Sequence, residues 1–129
     1  MEAIVFVARH TIRPGAMAEV RAQCRQMAEF IEANHPRHLL LQFYFDDAAS
    51  EMTTLQVHPD EASFALHLRL GAQSGHFAGA YDNIESSKIA IYGDLSDELA
   101  AQVSQIGQGN PVEIQRDSVG FERLSATPA

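Results

Sequence analysis

The spacing of hydrophobic and polar positions in the first half of the chain predicts three strands and one helix. Residues 3–12 are β-branched or aromatic at both alternating sets of positions, which predicts a strand covered on both faces. Residues 17–31 place hydrophobic side chains three and four positions apart, which predicts an amphipathic helix that ends near Pro36. Residues 38–58 alternate in two runs around a polar turn, which predicts a β-hairpin.

The second half of this pattern repeats the order of helix and strand. Pro59 and Asp60 predict the start of a second helix, and residues 71–80, rich in small side chains, predict that this helix is broken at its end. Residues 84–93 predict a fourth strand. The order strand, helix, strand, strand, helix, strand is typical of the α+β ferredoxin-like βαββαβ fold, in which an antiparallel sheet carries both helices on one face.

That fold leaves one sheet face without a cover inside a single chain. The first and second strands nevertheless carry bulky apolar side chains on both of their faces. A second copy of the sheet, packed face to face, is the simplest cover for the open side. The pattern therefore predicts a homodimer.

The chain continues beyond this unit, so we divide it into a ferredoxin-like domain, residues 1–94, and a C-terminal extension, residues 95–129. Apolar positions from Leu95 to Ile106 predict a third helix with Ser96 as its N-cap. Residues 112–124 predict a fifth strand, which lies along a sheet edge or crosses to the partner subunit. We expect the extension to pack on its own domain or on that of the dimer partner.

Charge and cysteine content narrow the possible partners. The formal net charge of -8 disfavours binding to nucleic acid or to an anionic membrane surface. No apolar run is long enough for a membrane span, and the basic start of a signal peptide is missing. Cys24 is the only cysteine, which predicts a reducing, cytoplasmic location and no structural zinc site.

Four segments in sequence, RPGAMAEV, ANHPRHLLLQFYFDD, TTLQVHPDEASFALHL and SGHF, resemble the antibiotic biosynthesis monooxygenase family of dimeric α/β barrels. The resemblance spans residues 3–93. It implies a cofactor-independent monooxygenase acting on a small aromatic phenol, anthrone or quinol. In such a reaction the protein binds and deprotonates the substrate, and the resulting anion itself reduces dioxygen. We therefore expect no cofactor.

The resemblance also assigns individual positions. His67 matches the family's histidine in the middle of the second helix, and His76 with Phe77 matches a later His-Phe pair. Two positions depart from the family pattern, because Gln56 stands where the family has a strand-ending glutamate and His58 where it has an aromatic residue. The carboxylate that could act as a base or orienting group is therefore missing at Gln56.

A polar pocket follows from these positions and from strand alternation. We expect His67 to be the catalytic acid/base residue, since its ordinary pKa suits proton transfer near neutral pH. The predicted substrate-binding residues are polar and lie on the hairpin, the fourth strand or the small-residue segment: Gln42, Tyr44, Gln56, His58, His76, Lys88 and Tyr92. The grouping assumes that Gln42 and Tyr44 share a sheet face with Gln56 and His58.

Each of these positions has a simpler interpretation as well. The polar strand residues could satisfy one another at a dimer interface, and Lys88 and Tyr92 face solvent if their side of the sheet is the outer one. His67 could lie at an ordinary packing boundary, and His76 could be a surface residue. The chain could then be a non-catalytic module that binds a small molecule or a partner.

No metal site is predicted, and haem binding or haem degradation is the less favoured alternative function. His67 and His76 are nine residues apart, about 180° around a regular helix, and His58 precedes that helix, so the three do not converge on one ion. A haem-degrading relative would resemble the pattern of an Asn on the first strand, a Trp and a helix histidine. This first strand has no Asn and the chain has no Trp.

Overall fold

A computed structural model describes residues 3–75, 79, 82–107 and 109–124. The described residues form five strands and three helices, in the order β1 (Ile4–Ile12), α1 (Met17–Asn34), β2 (Leu40–Asp46), β3 (Glu51–His58), α2 (Glu61–Ser74), β4 (Ile84–Tyr92), α3 (Asp97–Ile106) and β5 (Val112–Gln115). The predicted α+β class and the βαββαβ order are confirmed. No helix in these ranges is both long and apolar enough to cross a membrane.

The strands form one sheet in the order β2-β3-β1-β4-β5. β1 is central and pairs antiparallel with β3 and β4, and β2 pairs antiparallel with β3. β5 is the exception, because it runs parallel to β4 along the edge of the sheet. The predicted strand over residues 112–124 is therefore present, but only its first four residues, Val112–Gln115, pair with the sheet.

Local sequence explains where the two main helices begin and end. α1 buries Val20, Cys24, Met27 and Ile31, which recur at helical spacing. Asp60 caps α2, because its side chain accepts a hydrogen bond from the backbone amide of Ser63. Gly75 ends α2 in the left-handed conformation, with φ of 79°, that glycine adopts without steric cost.

The two faces of the sheet differ in burial. On β1 the even-numbered positions are largely buried, whereas the odd-numbered positions Val5, Val7 and Thr11 are half-buried and Arg9 is exposed. Strand alternation therefore turns one side of the sheet toward the chain's own core, which we call the inner face, and leaves an outer face open. Within one chain only the inner face of β1 is covered, so the predicted cover of the outer face by a second copy stays a prediction.

The C-terminal extension is part of the main core. Leu95, Leu99 and Val103 belong to the same buried cluster as Phe64 of α2 and Ile91 of β4. Ser96 caps α3 by accepting a hydrogen bond from the amide of Leu99, as its position in the sequence predicts. α3 thus packs against the same layer as α2 and forms one wall of the space beneath the helices.

Candidate functional site

A cavity of about 90 Å³ lies between the helices and the inner face of the sheet; we call it the helix–sheet cavity. Its lining residues come from all three helices and from all four antiparallel strands, and most are apolar: Phe6, His10, Val20, Gln23, Cys24, Met27, Phe43, Met52, Thr54, Gln56, His67, Leu68, Ile84, Ile89, Val103 and Ile106. An apolar enclosure with a few converging polar groups is the usual form of a small-molecule site.

Two predicted site residues, His67 and Gln56, lie in the wall of this cavity. His67 is only 1% exposed on α2, and Gln56 is 4% exposed on β3. Strand alternation turns Thr54 to the same side as Gln56, and the pairing of Ala8 with Thr54 continues this inner face onto β1. The structure therefore places His67, Gln56 and Thr54 in the lining of one cavity.

Hydrogen bonds among His35, Ser63 and His58 hold the side chain of Gln56 in place. The imidazole of His35 donates through Nε2 to the carbonyl oxygen of Ser63 at 2.8 Å. The Ser63 hydroxyl lies 2.8 Å from Nδ1 of His58, and Nε2 of His58 lies 2.9 Å from Oε1 of Gln56. Because an amide oxygen only accepts, His58 donates to Gln56 and accepts from Ser63. The amide nitrogen of Gln56 is thus left as a donor at the cavity wall.

Four imidazoles pack together beside the cavity: His35, His38, His58 and His67, which we call the histidine cluster. The rings of His38 and His58 stack with centroids 4.0 Å apart, and the ring of His67 meets that of His38 edge-on at 5.0 Å. His35 lies 5.3 Å from His38 and 6.0 Å from His58, centroid to centroid. The cluster therefore joins the end of α1, the start of β2, the end of β3 and the middle of α2.

Burial keeps members of this cluster neutral. It lowers the pKa of His67 to about 3, with His38 and His35 adding to the effect, and it lowers the pKa of His58 to about 2, again with help from its histidine neighbours. Burial and His35 lower the pKa of His38 to about 4, although the Leu40 backbone opposes part of that change. Desolvation disfavours the charged imidazolium, so these three rings are uncharged near pH 7.

The predicted grouping of the hairpin residues is wrong. In the observed register Leu41 pairs with Gln56 and Gln42 pairs with Leu55, so Gln42 and Tyr44 lie on the outer face, opposite to Gln56 and His58. Directly paired residues of an antiparallel sheet point to the same side, and a shift of one residue reverses every side chain. Gln42 and Tyr44 are accordingly exposed to solvent.

Lys88 and Tyr92 also lie on the outer face. Lys88 pairs with Arg9 and Tyr92 pairs with Val5, which both belong to the open side of β1. Both side chains are exposed, as expected if their face of the sheet is the outer one. His76 and Phe77 lie outside the described residues, so the structure does not place the predicted His-Phe pair.

Sequence reasoning missed three histidines of the interior: His10, His35 and His38. His35 follows Ile31 by four residues and so continues the buried stripe of α1, which was a usable signal. His10 shares the even-numbered face of β1 with Ile4 and Ala8, and this alternation also indicated that His10 is buried. His38 lies between α1 and β2, where no periodic pattern indicates the direction of a side chain.

His10 occupies the far end of the helix–sheet cavity and is neutral. Its Nδ1 lies 2.6 Å from the hydroxyl of Ser87 on β4, and its Nε2 lies 3.3 Å from the hydroxyl of Thr54 on β3. Burial lowers the pKa of His10 from 6.5 to about 4. None of the described residues that line the cavity is an aspartate, glutamate, lysine or arginine, so no charge there compensates an imidazolium.

We expect His10 to make the fold sensitive to mild acid. The unfolded chain binds a proton at His10 below about pH 6.5, whereas the folded chain resists until about pH 4, so stability is complete above the first value and falls as the pH drops. At pH 5 this single group lowers the free energy of unfolding by about 2 kcal/mol. Urea unfolding at pH 7.5 and pH 5, with EDTA present, measures the loss.

The matched variant for this measurement is His10→Gln, which keeps hydrogen-bonding groups near Ser87 and Thr54 but does not titrate. The variant should lose about 2 kcal/mol less than the wild type between the two pH values. The difference between the two proteins removes contributions from the other buried histidines. Equal losses in both would show that His10 does not control acid stability.

Comparisons with known proteins describe the fold. No protein-family model matches the chain, and no curated protein matches it. Among solved structures, the chain is similar to MupZ from Pseudomonas fluorescens, with a TM-score of 0.79 and 15% sequence identity. That match covers 99% of this chain and 100% of MupZ, so the likeness extends over the C-terminal extension.

Two other solved structures match a smaller share of the chain. SnoaB, a cofactor-independent oxygenase from Streptomyces nogalater, matches with a TM-score of 0.60 and 20% identity over 70% of this chain and 91% of its own. An antibiotic biosynthesis monooxygenase matches with a TM-score of 0.59 and 16% identity over 68% of this chain and 94% of its own. At these identities the likeness concerns the fold, and at that level it confirms the resemblance found in the sequence: the chain has the ferredoxin-like fold of the antibiotic biosynthesis monooxygenases.

Proposed function

We propose that the chain is a monooxygenase that oxidises a small aromatic phenol or quinol inside the helix–sheet cavity without a redox cofactor. The observation that carries this proposal is the apolar cavity with His67 and Gln56 in its lining. The fold adds support, because SnoaB is a cofactor-independent oxygenase of the same architecture. Enclosure also matters, since a reactive anion survives longer where water is excluded.

Cavity size narrows the proposed substrate to one ring. The volume of about 90 Å³ is below the roughly 150 Å³ of an engineered apolar cavity that binds benzene, so even a single ring requires the side chains of the lining to move apart. A three-ring anthrone would need a much larger space than a phenol or hydroquinone does. We therefore favour a single-ring phenol or quinol over the anthrones that the sequence resemblance also allows.

The proposed reaction uses the substrate as its own reductant. Burial lowers the pKa of His67 to about 3, so proton transfer depends on the phenolate that forms beside the ring and stabilises the imidazolium. In this step His67 accepts the phenolic proton, and the resulting anion transfers electrons to dioxygen. One oxygen atom forms a new carbonyl on the ring, and the other leaves as water with the two hydrogens that the substrate loses. A phenol plus dioxygen thus gives a quinone plus water, and the protein supplies positioning and electrostatic support.

Gln56 stabilises a phenolate better than a glutamate at the same position would. Its Oε1 is held 2.9 Å from Nε2 of His58, which leaves the amide nitrogen to donate toward a substrate oxygen. A glutamate would place a second negative charge beside a phenolate, whereas an amide donor stabilises the anion as an oxyanion hole does. The replacement therefore fits anion binding with His67 as the proton acceptor.

Oxygen uptake tests the proposed function. Purified protein treated with EDTA is mixed with a panel of single-ring phenols and quinols and with anthrones, and dioxygen consumption is followed with quinone formation. We expect one dioxygen consumed for each quinone formed, with single-ring compounds preferred. Saturable ligand binding without uptake by any compound would contradict a monooxygenase and support the non-catalytic binding module.

The outer face of the sheet supports a homodimer, which we propose as the functional form. Val5, Val7 and Leu55 are half-buried there and lie side by side across β1 and β3, and Tyr92 is 39% exposed beside them. Paired apolar side chains in the middle of an open sheet face are typical of a surface that packs against a second copy. The helix–sheet cavity lies on the opposite side and is complete within one chain.

We expect light scattering to give the mass of two chains for the wild type and one chain for Leu55→Glu. The glutamate places a charge in the middle of the outer face, next to Val7, where burial against a partner would leave it unpaired. Gln26→Glu, on the exposed surface of α1, adds the same charge away from the sheet and should remain dimeric. A monomeric wild type would contradict the proposed dimer.

We also propose a cytoplasmic location. The only cysteine, Cys24, is buried in the cluster beneath α1, and burial raises the pKa of its thiol to about 12. A protonated, buried thiol behaves as a small apolar side chain rather than a redox group. Its place in the core suits a compartment in which disulfides are not used for stability.

A further inference from the structure

Three residues of the histidine cluster place ring nitrogens close to one another. The ligand atoms of His35, His38 and His58, one from each ring, all lie within 4.8 Å of one another. His35 and His58 are fully buried and His38 is half-buried. The three come from separate places in the chain, after α1, before β2 and at the end of β3, so only the fold brings them together.

Several of these nitrogens make no hydrogen bond of normal geometry within the described structure. His35 donates through Nε2 to Ser63, which leaves its buried Nδ1 without a hydrogen-bond partner. Both ring nitrogens of His38 are likewise shielded from solvent without a hydrogen bond of normal geometry. An unsatisfied buried polar atom costs about 1–3 kcal/mol, so two such rings in contact call for a ligand that uses them.

We propose that His35, His38 and His58 bind one zinc ion. Neutral imidazole nitrogen is a preferred ligand of Zn²⁺ and its neighbours Co²⁺, Ni²⁺ and Cu²⁺, whereas Ca²⁺ and Mg²⁺ require oxygen ligands that this cluster does not offer. Three histidines leave the fourth tetrahedral position for a water molecule or substrate. Zn²⁺ has no redox chemistry, so the ion is compatible with a reaction in which the substrate itself reduces dioxygen.

The geometry needs only side-chain adjustment to reach this state. Ligand nitrogens at 2.0–2.1 Å from zinc in a tetrahedron are about 3.3 Å from one another, so the present spread of 4.8 Å closes by about 1.5 Å at most. His58 exchanges one of its two hydrogen bonds, to Ser63 or to Gln56, for the metal. These are rotations of single rings and leave the backbone in place.

The surroundings already orient His35 as a metal ligand. Histidine ligands commonly donate their second nitrogen to a backbone carbonyl, which fixes the tautomer and the direction of the ring. The hydrogen bond from Nε2 of His35 to the Ser63 carbonyl, at 2.8 Å, is of this kind and leaves Nδ1 as the nitrogen that can bind a metal. The site adjoins the helix–sheet cavity through His67, which contacts His38 and lines the cavity.

Zinc titration of the full chain tests this site directly. The protein is stripped with EDTA, dialysed, and titrated with Zn²⁺ in a calorimeter; Co²⁺ is then added separately, because tetrahedral Co²⁺ with nitrogen ligands absorbs visible light. We expect one ion per chain and an intense visible band with Co²⁺. His38→Ala should weaken zinc binding by more than about 100-fold and remove the band, since loss of even an orienting partner costs 10–100-fold.

Two controls separate metal binding from folding. Each protein is first melted without metal, and we expect only the wild type to gain thermal stability when zinc is added, because His38→Ala lacks one ligand. His10→Gln changes another buried histidine and should bind zinc as the wild type does. His58 pairs with Ile4, and His10 lies six residues further along β1, about 20 Å away.

The outcomes that would overturn the site are definite. Zinc binding by the wild type that is no tighter than binding by His38→Ala would exclude these ligands, and so would equal weakening in His10→Gln. If His38→Ala is unfolded by circular dichroism, His35→Ala replaces it with the same measurements. The zinc site is independent of the proposed oxygenation, because the titration needs no substrate: zinc bound without oxygen uptake would leave this site intact and remove the proposed reaction.

Discussion

Replacing His67 with alanine is expected to lower the rate of substrate-dependent oxygen uptake by about 100-fold to 10,000-fold, the usual contribution of a positioned proton acceptor. His67 is buried in the wall of the helix–sheet cavity, where no carboxylate from the described lining residues can replace it. Alanine also opens space in an apolar pocket. The substrate should therefore bind more weakly in addition to losing its proton acceptor.

The comparison with His67→Gln separates these two effects. Glutamine fills most of the space and keeps a hydrogen-bond donor but does not accept a proton, so kcat should fall while KM changes little. Gln26→Ala, on the exposed surface of α1, serves as the unaffected control. Loss of activity in Gln42→Ala, on the opposite sheet face, together with normal activity in His67→Ala would place the reaction on the outer face and contradict the proposed site.

Phe64→Ala is expected to destabilise the protein by about 3–5 kcal/mol, the usual cost of deleting a buried phenylalanine ring. Phe64 is fully buried on α2. Its ring centroid lies 5.8 Å from that of Phe6 on β1 and 5.3 Å from that of His58 on β3. It also belongs to the core cluster that holds α3. The loss therefore affects the contact of the sheet with two helices at once.

Urea unfolding followed by circular dichroism measures this change, with Phe121→Ala as its matched control. Phe121 is 81% exposed and contacts only the guanidinium of Arg123 among the ring interactions described, so its removal should cost less than about 1 kcal/mol. Similar losses for the two variants, or a loss below about 1 kcal/mol for Phe64→Ala, would contradict the packing of α2 against the sheet.

Local patterns in the sequence were sufficient for most of the fold. The spacing of Val20, Cys24, Met27 and Ile31 located α1, and Asp60 and Ser96 located the starts of α2 and α3. These features depend on neighbours within one or two turns, which a single sequence contains. The short length of β5 was not predictable, because pairing with β4 rather than alternation decides where that strand ends.

The hairpin shows why the site was harder to predict than the fold. Alternation grouped Gln42 with Tyr44 on β2 and Gln56 with His58 on β3, but it does not state which groups share a face. The four residues between Asp46 and Glu51 pair even-numbered positions of β2 with odd-numbered positions of β3. A turn with one residue more or fewer would have produced the predicted grouping. Turn length therefore decided which polar residues reach the cavity.

The histidine cluster could not be predicted from the sequence for a different reason. His35 and His38 are 20 or more residues from His58 in the chain, and their contact depends on how α1 and β2 pack against the end of β3. Spacing between neighbouring histidines tested only His58, His67 and His76 as possible ligands. A site assembled from three separate elements leaves no such local spacing to recognise.

The wall that α3 contributes has a consequence for how this fold diverges. Val103 and Ile106 border the cavity, yet they lie after the βαββαβ unit and outside the sheet that holds Gln56. Exchanging these two side chains alters the room available to a ligand while the hydrogen-bonding groups stay where they are. Substitutions in α3 alone can therefore change which ligand fits during evolution, while the polar residues on the sheet stay the same.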